Sequence, residues 1–149
     1  MLLQDQKNHE DTCIQKYTRY ANEAQDQALK QIFTQHASHE REHFNTINQI
    51  LSGQIPNMAQ GQQGQQQAQQ GMTAGSTQAA QSGYNQNDAQ LVNDMLMTEK
   101  YISGTYDTVI FESANSGVRQ ALNHIQKEEQ QHGEDLFNYM QSHGMYNVQ

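Results

Sequence analysis

A chain of 149 residues fits one domain, and with only 34% hydrophobic residues its core must be narrow. A single proline, no tryptophan and the lone Cys13 argue against a sheet-rich or disulfide-stapled fold, and no CxxC pair is present for a rubredoxin-type iron site. Sixteen acidic against eight basic residues leave a formal net charge of -8 with no Lys/Arg cluster, which would repel a phosphate backbone and so excludes nucleic acid as a partner.

At the N-terminus, Met1, Leu2 and Leu3 are followed at once by Gln4, Asp5, Gln6 and Lys7, so no signal-peptide core is expected and the start reads as cytosolic. No stretch approaches the ~18 uninterrupted apolar residues of a membrane span. Leu3, Gln6, Glu10, Cys13, Tyr17, Tyr20 and Ala24 then recur at spacings of three and four, one face of a first helix. The free Cys13 reads as a small core residue. After a break at residues 22–26, with Asp26 placed as a cap, a second helix presents Leu29, Ile32, Phe33, His36, Glu40, His43, Ile47, Ile50 and Leu51.

From Ser52 the composition turns to glutamine and glycine with no apolar period, which reads as a flexible tether. Some 35 such residues span over ~100 Å when extended, whereas a helix of about 26 residues is only ~40 Å long. The third helix can therefore start at either end of the bundle. It carries Val92, Met95, Glu99, Ile102, Tyr106, Val109 and Ser113 on one stripe. A turn at residues 114–117 leads to a fourth stripe of Val118, Leu122, Ile125, Glu129, His132, Leu136, Tyr139 and Met140. The expected organisation is a first helical hairpin over 1–52, a linker over 53–87 and a second hairpin over 88–149. Together, residues 1–149 make one all-α domain, an antiparallel four-helix bundle of the ferritin-like kind.

The two hairpins are related. A shift of 89 residues aligns Leu2 with Leu91, Glu10 with Glu99, Tyr17 with Tyr106, Glu23 with Glu112, Gln31 with Gln120, Glu40 with Glu129 and His43 with His132. Three of these pairs form one constellation, a Glu followed thirty residues later by Glu-x-x-His. Residues i and i+3 share a helix face, and hairpins folded at residues 25–26 and 114–115 bring Glu10 level with Glu40/His43 and Glu99 level with Glu129/His132. This is the ligand set of a di-iron or di-manganese carboxylate site, with Glu40 and Glu129 expected to bridge and Glu10 and Glu99 to be terminal. A lone Glu-x-x-His carries little weight; its repetition in register carries more. Four unpaired carboxylates in a narrow core are costly, and two transition-metal ions, iron or manganese, would balance them and leave the imidazoles neutral.

The bland alternative is a polar core that is wet, protonated or salted by charged His. Tyr17 and Tyr106 read as core tyrosines hydrogen-bonded to a neighbour, which for Tyr17 is expected to be His36. Glu23 and Glu112 fall at helix ends on the surface, and His39, Glu42 and Glu128 lie off the central line.

Residues 88–146 resemble the spore coat protein F family of endospore-forming Firmicutes. The likeness rests on Asp94, Glu99-Lys100-Tyr101, Tyr106, Glu112, Arg119, Glu128-Glu129-Gln130 with His132, Met140 and the ending Gly144-Met145-Tyr146. The family usually has Trp where Met145 stands, and the first hairpin resembles the family's N-terminal half more loosely. The resemblance implies a ferritin-like bundle, synthesis in the mother-cell cytoplasm, and a place in or under the spore coat. Other coat proteins are the implied partners, with self-association left open, and no catalytic activity is implied. The expectation is thus a structural coat-associated protein with a di-metal carboxylate site. The rival is a di-iron or di-manganese oxidoreductase (oxidase, peroxidase or catalase-like) protecting the spore from oxidants, although no substrate pocket is legible. A third reading, an iron store, needs a cage-forming surface that one chain does not reveal.

Overall fold

The computed structural model describes residues 1–56 and 83–146. Four helices follow in order: α1 (Leu2–Glu23), α2 (Gln27–Leu51), α3 (Gln86–Glu112) and α4 (Ser116–Ser142). Each hairpin turn is set by an Asx cap, as the repeat leads one to expect. Asp26 accepts from the Ala28 amide at 3.1 Å, and Asn115 Oδ1 accepts from Gly117 and Val118 at 2.9 and 3.1 Å. Both α2 and α4 close with a left-handed glycine, Gly53 (φ 82°) and Gly144 (φ 70°). In each case the two residues that follow the helix cap donate back to its last turn, Gln54 to Gln49 and Met145 to Met140 among them.

α1 packs against α2 and α3, and α4 against α3 and α2. Between α1 and α3, Tyr20 meets Asp94 and Gln6 meets Thr105, so the residue numbers run in opposite senses. The same holds between α2 and α4, where His36 meets Asp135 and His43 meets Glu128. Every neighbouring pair is antiparallel, and α2 and α3 are diagonal and parallel. Lys7 Nζ donates to Asn48 at 2.7 Å, placing the end of α2 beside the start of α1. The buried Asp88 accepts from the amides of Gln25 and Asp26, both at 2.8 Å, placing the start of α3 at the opposite end. The end of α2 and the start of α3 therefore lie at opposite ends of the bundle. Of the Gln/Gly-rich segment expected to be a tether, residues 57–82 lie outside the described residues. Just before it, Ile55 packs over Gly117 so closely that a Cβ there would sit 2.5 Å from its Cγ2.

The core has three tiers. One end is filled by Ala24, Leu29, Phe33, Val92, Met95, Leu136 and Met140, and the other by Ile47, Ile102, Val109, Leu122 and Ile125. Between them lies a belt of buried polar side chains. The stripes match these tiers except at their edges: Leu51, the last residue of α2, is 41% exposed, and Leu91 and Leu96 are buried although they lie off the expected line. Burying a Leu, Ile or Phe side chain is worth ~1.5–3 kcal/mol, so the apolar tiers must hold up the polar belt. Among the described residues no helix is long and apolar enough to cross a membrane.

Candidate metal centre

Helical spacing alone brings Glu10, Cys13 and Tyr17 of α1, and Glu99, Ile102 and Tyr106 of α3, to the bundle axis. Glu40/His43 on α2 and Glu129/His132 on α4 face them from the other layer. All six expected residues are at most 2% exposed. Their ligand atoms fall into two quartets, each within a 4.8 Å span: Glu10, Glu40, His43 and Glu129 in one, Glu40, Glu99, Glu129 and His132 in the other. Glu40 and Glu129 belong to both. Each quartet therefore takes one Glu and one His from its own hairpin and shares the two remaining carboxylates.

The imidazoles are oriented from behind. His43 Nε2 lies 2.8 Å from Glu128 Oε2. With that N–H donated to Glu128, a neutral His43 turns a bare Nδ1 lone pair toward Glu129 at 3.0 Å and toward Glu10 and Glu40 at 3.5 Å. An acceptor then faces acceptors, and only a proton or a cation resolves that contact. His132 Nε2 lies 3.0 Å from His39 Nδ1, while its Nδ1 faces Glu40 at 3.1 Å and Glu99 at 3.5 Å. His39 and Glu128 occupy equivalent positions of the 89-residue repeat, each immediately before a shared carboxylate. Sequence reasoning set both aside as off the axis. The available signal was that the position before Glu is long and polar in both halves. A side chain about 100° away around its own helix can still reach the histidine of the neighbouring helix.

The tyrosines cross between hairpins. Tyr17 donates to Glu99 and Tyr106 donates to Glu10. His36 Nδ1 is also 3.2 Å from the Tyr17 hydroxyl, so the expected Tyr17–His36 contact exists alongside a carboxylate partner. Beyond it, His36 Nε2 meets Asp135 at 3.2 Å, and its ring stacks on His132 with centroids 4.1 Å apart. Glu23 and Glu112 are exposed and take no part. Burial pushes the Cys13 thiol far up, which favours its neutral form.

Even with these contacts, Glu10 Oε2, Glu40 Oε2, His43 Nδ1, Glu99 Oε2 and both oxygens of Glu129 have no hydrogen-bond partner. Each such buried atom costs ~1–3 kcal/mol if left alone, more for a charged group. Without a cation the cluster must keep protons. Burial lifts Glu10 to about 8, with the His43 contact opposing and the Glu40 charge adding to the rise. Burial and the charges of Glu40 and Glu99 push Glu129 well above the usual carboxylate range. Burial also works against the charged forms of His43 and His132, yet carboxylate hydrogen bonds win, raising His43 well above its ordinary value and His132 to about 9. Burial would raise Glu40, but the hydrogen bond from His132 and the proximity of His43 outweigh it and hold Glu40 low. The donor set of carboxylates and imidazoles suits iron, manganese or zinc-like ions, and the orphaned atoms converge where such ions would sit. The residues fit the group.

Residues 87–149 match the family described as the Coat F domain. The second hairpin is thus similar to the Coat F domain. It contributes Glu99, Glu128, Glu129 and His132, while Glu10, Glu40, His39 and His43 come from the hairpin before it. A relative, Uncharacterized protein YusN of Bacillus subtilis (strain 168), is 33% identical over 63 residues, covering 42% of this chain and 57% of its own length. The match thus spans little more than half of that relative. No solved structure matches the chain. Half of the polar belt therefore lies within the region that matches the Coat F domain and half outside it, so that region alone would leave both quartets incomplete.

Proposed function

We propose that this chain is a spore-coat-associated structural protein, reaching the coat from the mother-cell cytoplasm, whose bundle of the ferritin-like kind holds two transition-metal ions. The Coat F domain supports the coat association and makes other coat proteins the natural partners. One observation carries the metal reading: a buried His43 Nδ1 that faces three carboxylates while its other nitrogen is committed to Glu128. Glu10 and His43 would hold one ion, Glu99 and His132 the other, and Glu40 and Glu129 both. Iron or manganese there would supply Lewis acidity, a redox couple and charge neutralisation.

The neutralisation matters most to a coat component. Because Glu40 and Glu129 come from different hairpins, ions shared between them tie two halves that are otherwise joined by one long connection. Elemental analysis of protein purified without added metal, then after loading with iron or manganese, tests the reading; about two ions per chain are expected for a site of this type. Zero bound metal at neutral pH, with helicity intact, rules it out.

A further inference from the structure

We propose that the face between α3 and α4 is the approach by which small coordinating anions reach the metal pair, a reading that rests on the metal site proposed above. A cleft of about 400 Å³ opens on this face. Leu96, Ser103, Gly133 and Phe137 form its walls, and its floor is Glu99 and Glu129. Those two side chains are 1% and 0% exposed, and neither oxygen of Glu129 has a hydrogen-bond partner. The cleft therefore ends directly above the site, whose unsatisfied carboxylate oxygens are closed to solvent beneath its floor.

The 89-residue repeat shows what makes this face different. Where the second hairpin has Ser103 and Gly133, the first has Ile14 and Phe44. There Phe44 is covered by Lys7, whose Nζ is 5.0 Å from the ring centroid and which also donates to Asn48 across the helix pair. The first hairpin is thus plugged and strapped at the place where the second is open. Packing does not require the glycine, since a Cβ at Gly133 would meet nothing within 4 Å. A helix-interior glycine is destabilising relative to alanine, and at Gly133 it leaves only open space.

Charge selects the visitor. Lys100, exposed at the mouth, replaces Asp11 of the first hairpin, and Gln130 replaces Arg41. The approach to the floor thus carries a cation in a protein of net charge -8. Apolar walls, one cation at the mouth and metal at the floor fit a monoanion of a few atoms, the class of azide, hydroperoxide or formate.

The test uses the full-length chain loaded with Co2+, whose visible absorption reports coordination, titrated with azide. The parent should show a saturable spectral change. Gly133→Phe, the residue of the first hairpin, should weaken the azide response by roughly tenfold or more by occupying the cleft, with Co2+ content unchanged. Lys100→Asp changes an exposed side chain that also lies over the Tyr146 ring, its Nζ 5.9 Å from the centroid, and should weaken the response by about threefold to tenfold, the more so at low salt. If Gly133→Phe fails to fold, Lys100→Asp decides. A metal-loaded parent that ignores azide, or a parent response that both variants reproduce, overturns the approach while leaving the metal site standing. A parent that takes up no Co2+ overturns both.

Discussion

The hydroxyl of Tyr17 on α1 donates to Glu99 on α3, across the seam between the hairpins. Its repeat counterpart does the reverse, Tyr106 to Glu10. Each hairpin's tyrosine thus holds the other's carboxylate. Leaving a buried polar partner unsatisfied costs ~1–3 kcal/mol, so Tyr17→Phe and Tyr106→Phe should each destabilise the metal-free protein by about that amount. In a double-mutant cycle, Tyr17→Phe should couple to Glu99→Gln but add independently to Glu10→Gln. Urea unfolding of metal-free samples measures both.

Metal binding should appear as stability. Ions that bind only the folded chain add RT ln(1 + [L]/Kd), about 4 kcal/mol at a thousandfold excess over Kd, so chelation should lower the melting temperature by several degrees. Glu129→Ala should abolish most of that increment, because both quartets lose a donor. Replacing Glu10 and Glu99 with Leu removes two buried carboxyls but leaves the Tyr106 hydroxyl without its acceptor and the Tyr17 hydroxyl with His36 Nδ1 alone, offsetting the gain. Combining both Leu substitutions with Tyr17→Phe and Tyr106→Phe should make the metal-free protein about 1–4 kcal/mol more stable and unresponsive to metal. Melting curves with and without chelator distinguish these outcomes.

Metal-free stability and metal affinity should run in opposite directions with pH. Glu10, with a folded value near 8, favours the folded state fully below the ordinary 4.5, and that contribution disappears as pH rises through 8. Glu129 and His43 are also raised, and for His132 the window runs from 6.5 to about 9. Glu40 is lowered, so its contribution is lost only as the solution is acidified below 4.5. The metal-free protein should be most stable in mildly acidic solution and lose stability from there toward pH 9. Metal must displace the same protons, so its affinity should rise over that range. Urea midpoints and metal titrations at matched pH values check the two slopes, and parallel slopes would contradict the assignment.

The two ions should not be equivalent, because His43 is supported by a carboxylate and His132 by another imidazole. Removing a group that orients a metal-bound histidine typically costs 10–100-fold in affinity. Glu128→Gln should therefore weaken one of two binding steps by roughly that factor, and His39→Ala should act on the other step. Stepwise titration resolves this; equal weakening of both steps by either variant would show that the quartets act as one site.

Much of this was legible without coordinates. A helix of 3.6 residues per turn leaves little freedom in which side chains share a face, so the four stripes, the Asx-capped turns at Asp26 and Asn115, and the level at which Glu10, Glu40, His43, Glu99, Glu129 and His132 meet followed from spacing and an 89-residue repeat. Those are local quantities, set within one helix or one hairpin. What joins the hairpins is not local. The long connection permits either direction of α3, and it is the capture of the Gln25 and Asp26 amides by Asp88 that sets α3 parallel to α2. Only that arrangement pairs Tyr17 with Glu99 and lets Glu128 reach His43 and His39 reach His132. It also leaves Gly133 facing a cleft where Phe44 fills the opposite side, because whether a missing side chain makes a void depends on neighbours from another helix.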